Sequence, residues 1–160
     1  MPNPSKILSE AEALNRAASL CSQRECCVSE IEQKLTNWGQ SDAVRQRIID
    51  RLIKEKYIDE ARFCRAYALD KMRYNHWGRI KISQMLRLLG VPDSDRDNAL
   101  TELPEEEYID ILRHLIRQKL PNIKGRSNYE RNGKLLRFLA GRGFETSLAC
   151  DVLNNEKYWQ

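Results

Sequence analysis

The chain has 160 residues, of which 41% are apolar and 31% charged, with a formal net charge of +4. That is a globular composition rich in charge, and no apolar run approaches the roughly 18 residues of a membrane-spanning helix. Seven glycines and five prolines among abundant Leu, Ala, Glu, Lys and Arg argue against a sheet and for helix throughout.

The segment Met1-Pro2-Asn3-Pro4-Ser5-Lys6 lacks the apolar core of a signal peptide, so a cytoplasmic protein is expected. Ser9 caps a predicted helix running to about Gln23, with Leu14, Ala17, Ala18 and Cys21 at helical spacing. A second helix spans Val28 to Asn37, turns Ile31 and Leu35 inward, and stops before Gly39, where a left-handed cap is wanted. The third opens at Ser41 and buries Val44, Ile48 and Leu52. Asp59 caps the fourth, whose inward face is read as Phe63, Ala66, Tyr67 and Leu69. The fifth begins near Gly78, buries Ile82, Leu86 and Leu89, and ends at Gly90. A short sixth follows Val91-Pro92-Asp93 and ends around Ala99-Leu100. The seventh takes Pro104 as its first helical residue and shows Ile109, Leu112, Leu115, Ile116 and Leu120. After a linker over 121–126 come a helix with Leu135 and Leu139, then Gly143, then a final helix with Leu148, Val152 and Leu153.

The glycines reveal a repeat. Ile31-Leu35-Gly39, Ile82-Leu86-Gly90 and Leu135-Leu139-Gly143 share one spacing, and the glycines stand 51 and 53 residues apart. The fold expected is all-α: three tandem three-helix repeats, at 9–57, 58–103 and 104–157, in an elongated, curved body. The middle copy matches less well, because Asp95 and Ala99 stand where the outer copies place Val44 and Ile48 or Leu148 and Val152.

Nothing in the chain makes a catalytic centre. There is no phosphate loop, nucleophile elbow or HExxH pair, and acidic pairs such as Asp59-Glu60 fit a helix start better than acid–base work. The five cysteines, Cys21, Cys26, Cys27, Cys64 and Cys150, are odd in number and lack metal-ligand spacing. They read as free thiols in a reducing compartment, and Cys27 as a poor helix cap. No cofactor or metal is expected.

Charge is segregated. Residues 71–90 carry Lys71, Arg73, Arg79, Lys81 and Arg87 and no acid. Residues 113–142 carry Arg113, Arg117, Lys119, Lys124, Arg126, Arg131, Lys134, Arg137 and Arg142 against Glu130 alone. Such faces suit phosphates or an acidic partner surface, although solvated helix faces are also commonly basic. Tyr74, His76 and Trp77 interleave with them; Trp77 either stacks on a partner or fills a gap between helices. The candidate binding residues are therefore Lys71, Arg73, Trp77, Arg79, Lys81, Arg87, Arg113, Arg117, Lys119, Arg131, Lys134, Arg137 and Arg142. Reversing Arg79 and Arg87 to glutamate is expected to weaken the chain's activity on its partner while leaving helicity and melting unchanged.

The ordered motifs resemble the RecX family of bacterial RecA regulators. They are Ala13-Leu14 to Arg24-Glu25, Ser29-Glu30-Ile31-Glu32-Gln33-Lys34-Leu35, Tyr57-Ile58-Asp59-Glu60-Ala61-Arg62-Phe63, and Trp77-Gly78-Arg79 to Ile82, Leu86 and Gly90-Val91. Three positions depart from the family pattern: Lys56 where glycine is usual, Cys27 where serine usually caps, and Arg79 where proline often follows the glycine. The resemblance implies a curved body of three helical repeats. It also implies a protein lodged in the groove of the RecA–single-stranded-DNA filament, restraining its ATPase, strand-exchange and co-protease activities; a monomer is expected. The residues alone leave open a stand-alone nucleic-acid-binding helical module.

Overall fold

The computed structural model describes residues 7–156; the reading of residues 1–6 and the last position of the third repeat, 157, lie outside them. Within the described residues the chain forms nine α-helices and no strand. They are α1 (Glu10–Gln23), α2 (Val28–Asn37), α3 (Asp42–Lys54), α4 (Glu60–Asn75), α5 (Arg79–Leu88), α6 (Asp93–Thr101), α7 (Glu105–Lys119), α8 (Asn128–Gly141) and α9 (Thr146–Asn155), with a 3-10 turn at Leu120–Asn122. They make three consecutive triplets. The residues of the repeat fall into place: Ile31, Leu35, Ile82, Leu86, Leu135 and Leu139 are all buried, and Gly39, Gly90 and Gly143 have φ of 80°, 74° and 93°.

Local chemistry sets the helix boundaries. Ser9, Ser41 and Ser127 accept the amides of Glu12, Val44 and Glu130 at the starts of α1, α3 and α8. Asp59 accepts that of Arg62 at 3.0 Å. Cys27 makes no side-chain cap, since a thiol accepts weakly; it is buried instead. At the ends of α2 and α8 the amide after the left-handed glycine reaches back five residues, Gln40 to the Leu35 carbonyl and Phe144 to that of Leu139. This is the Schellman arrangement. The end of α3 repeats it, Tyr57 to Leu52, but the left-handed residue is Lys56, at φ 62°.

The chain forms two compact units, residues 7–66 with 86–96 and residues 67–85 with 97–156 among those described, so the boundary falls within α4, α5 and α6. In the first, Ala13, Ala17, Cys21, Cys26, Ile31, Leu35, Ile48, Ile49, Leu52 and Ile58 form one apolar cluster, with Trp38, Val44 and Tyr57 packed against it. In the second, Tyr108, Leu112, Leu115, Ile116, Leu135, Leu139, Phe144, Ala149 and Val152 are buried.

Three expectations need correction. Pro104 precedes α7 as its cap residue, with ψ 115°, so its ring fixes the approach to the helix, not its first turn. The buried line of α4 is Cys64, Ala68 and Met72 alongside Phe63; Ala66, Tyr67 and Leu69 are half-buried. The seam is rotated by about one residue, 100° around the axis, because a small Ala68 and a long Met72 carry it. Tyr108 is fully buried although Ile109 beside it looks more apolar. The irregular middle repeat also has a cause: Arg96 of α6 is itself buried and pairs with Asp93 at 2.9 Å.

Candidate nucleic-acid interface

The second unit is organised around the start of α5. Gly78 donates its amide to the Arg142 carbonyl at 2.8 Å, and Ile80 donates to Gly143 at 2.9 Å. These bonds clasp the turn before α5 to the turn before α9. A Cβ on Gly78 would stand 2.3 Å from the Gly143 carbonyl, and one on Gly143 2.3 Å from the Lys81 Cβ. Only glycines allow this approach.

Between the two bonds the Arg79 amide donates to the Tyr108 hydroxyl at 3.0 Å. The Arg79 guanidinium covers the Tyr108 ring at 3.9 Å and pairs with Glu105 at 2.5 Å and Glu145 at 2.9 Å. The Tyr108 hydroxyl in turn donates to Glu145 at 2.5 Å, and burial holds it far above the ordinary phenol range. Arg79 is therefore bound into the fold. Reversing its charge would set a third carboxylate beside two others, so the variant is expected to melt lower, against the reading of Arg79 as a free flank cation.

Two further candidates are similarly held. Arg73 forms a two-pronged pair with Glu107 at 2.7 and 3.0 Å. Arg113 pairs with Asp110 at 2.9 Å and with Glu156. Arg131 reaches Asn128. Lys134 donates to the Lys124 carbonyl at 2.6 Å and lies 3.7 Å from Glu130. Arg117 and Arg137 are exposed, as is Arg87 in the first unit. Lys119 sits 4.7 Å from the centre of the Phe138 ring, over a shallow depression of about 400 Å³ that Leu115 and Gln118 also line.

A different set gathers at the clasp. Trp77 is half-buried, and the Lys71 and Lys81 amines lie 5.1 and 4.7 Å from its ring centre. Arg142 donates to the Asn75 carbonyl and leaves its buried Nε without a partner. His76, left-handed at φ 54°, meets His114 edge-on at 5.5 Å. Burial, His114 and Arg142 all push the His76 imidazole below its ordinary value, and no carboxylate is among the causes. Sequence reasoning named Lys71, Trp77, Lys81 and Arg142 but not their assembly. Tyr108 and Glu145 it missed, although Tyr108 stands four residues before Leu112 and seven before Leu115.

No group of three or more His, Cys, Asp or Glu among the described residues is placed to hold a metal ion. Burial raises the Cys21 and Cys64 thiols to about 12, so neither is a thiolate at neutral pH. No described helix is long and apolar enough to cross a membrane.

Family models for the RecX first, second and third three-helix domains match residues 13–52, 59–100 and 105–153. The regulatory protein RecX of Prosthecochloris aestuarii is 32% identical over 143 residues, 89% of this chain and 92% of that protein. That of Leuconostoc mesenteroides is 28% identical over 144 residues; the alignment covers 90% of this chain but 54% of the relative. A crystal structure of regulatory protein RecX superposes with TM-score 0.81 at 23% identity, covering 92% of this chain and 73% of that one. RecX from Lactobacillus salivarius gives 0.77 at 18%, over 91% and 95% of the two chains. With all three domain models matched in order along its length, the chain belongs to the RecX family.

Proposed function

We propose that this chain is a RecX-type regulator that binds the RecA–single-stranded-DNA filament and restrains its ATPase, strand-exchange and co-protease activities, working by occupancy and without catalysis. The observation that carries this reading is the full, ordered set of RecX domains. Its chemistry is compatible: the second unit holds cations fixed by internal carboxylates, at Arg73, Arg79 and Arg113, beside lysines held on an aromatic ring that are left to attract a polyanion. We take the protein to act in the cytoplasm, as a monomer. The deciding experiment is titration of the protein into RecA on single-stranded DNA while ATP hydrolysis is followed. Turnover is expected to fall with added protein; unchanged hydrolysis at several-fold molar excess would rule the reading out.

A further inference from the structure

We infer that Lys71 and Lys81, gathered on the Trp77 ring beside Arg142, form a clamp for successive phosphates of single-stranded DNA. The inference deepens the proposed function and rests on its DNA-contacting part. Two ammonium groups repel each other when brought close in isolation. Here the Lys71 and Lys81 amines lie 5.1 and 4.7 Å from one indole centre, and Lys71 lies 5.4 Å from the centre of the Tyr67 ring as well; the negative ring faces offset the cost of holding two cations at one aromatic site. Each amine is thus positioned against an aromatic ring before a ligand arrives, and less side-chain freedom remains to be lost on docking.

The framework beneath them is main chain. Arg142 and Gly143 are fixed to Gly78 and Ile80 by two backbone hydrogen bonds, and Gly143 packs directly on Lys81, so Arg142 adjoins the residue that supports Lys81. Among the described residues neither lysine has a carboxylate partner. Arg142 donates to a carbonyl instead.

The division of labour between arginine and lysine points to phosphate. Arg73, Arg79 and Arg113 take the carboxylates of Glu107, Glu105, Glu145 and Glu156, as planar forks do well. The clamp keeps compact ammonium charges, which bind phosphate oxygens as point charges at any base sequence. The amides at the start of α5 are already used by Arg142, Tyr108 and Gly143, so the attraction comes from the side chains.

The test is anisotropy of a labelled oligothymidylate with the full chain across a salt series, comparing wild type with Lys71→Gln/Lys81→Gln. The variant is expected to bind about tenfold more weakly and to flatten the slope of log K against log salt by about 1.4, the value for two lost phosphate contacts. Lys71→Arg/Lys81→Arg should restore the slope, and Lys34→Gln/Lys54→Gln in the first unit should match wild type. The clamp is overturned by no detectable binding of wild type, by an unchanged slope in the first variant, or by an equal loss in the first-unit control. Equally tight binding to the matching duplex would remove the single-strand assignment. In parallel RecA assays, a glutamine variant that loses restraint of hydrolysis while holding the oligonucleotide normally would place the lysines on a protein partner and overturn the clamp. A wild type that binds DNA as expected but leaves RecA hydrolysis untouched would instead sink the regulatory reading and spare the clamp.

Discussion

Lys56 carries the clearest single-residue expectation. It holds a left-handed backbone at the end of α3, in the same hydrogen-bonded turn that Gly39 and Gly143 close elsewhere. Its Cβ makes that conformation costly, while glycine would lose more freedom on folding. The balance favours Lys56→Gly, by about 0.5–1 kcal/mol in urea melts. A loss of stability would show that the lysine side chain makes an offsetting contact. Glycines elsewhere differ in what surrounds them. Gly90→Ala meets nothing within 4 Å and should cost only its backbone strain, about 1–2 kcal/mol. Gly78→Ala drives a methyl into the main chain of Gly143 and should cost about 3 kcal/mol or more. Comparable losses in the two variants would mean that the turns separate readily. The His76 imidazole favours its neutral form in the fold. Its share of stability is therefore complete above the ordinary histidine value of 6.5 and drains away as pH falls through the lower folded value. His114→Gln removes one of the depressing charges, so NMR titration should find His76 shifted upward.

At the scale of elements, the beginnings of α5, α7 and α9 share the Arg79–Tyr108–Glu145 network. Tyr108→Phe keeps the ring and deletes the hydroxyl that serves both the Arg79 amide and Glu145. It is expected to cost about 1–3 kcal/mol, measured by thermal or urea unfolding; a neutral result would mean that water replaces the hydroxyl. Most of the helical frame was legible beforehand, since serine caps, glycine stops and four-residue apolar spacing are local signals. Ser9, Ser41, Asp59, Gly39, Gly90 and Gly143 all do what their positions suggest. The seam of α4 was harder to read because apolar residues stand nearly all round it, so that Ala66, Tyr67 and Leu69 offer a second line beside Cys64, Ala68 and Met72. Arg79 misled for another reason. A cation on a helix flank looks free until residues 26 and 66 positions onward supply its carboxylates.

For the molecule as a whole, repetition was readable because glycine constraints recur at nearly equal intervals, whereas the binding surface was not, because it depends on which cations the fold neutralises. A list of thirteen candidates gave no ranking; pairing distances separate Arg73, Arg79 and Arg113 from Lys71, Lys81 and Arg142. The tie between residues 78–80 and 142–143 has a kinetic corollary. The Gly78 amide lies just before α5 and that of Ile80 in its first turn, yet their bonds run to carbonyls more than sixty positions away in the chain. Fraying of one helix cannot release them. In deuterium exchange, the NH protons of Gly78 and Ile80 should therefore survive about as long as those of Leu112 and Leu139 in the buried interior, a slowness foreign to the frayed first turn of an ordinary helix.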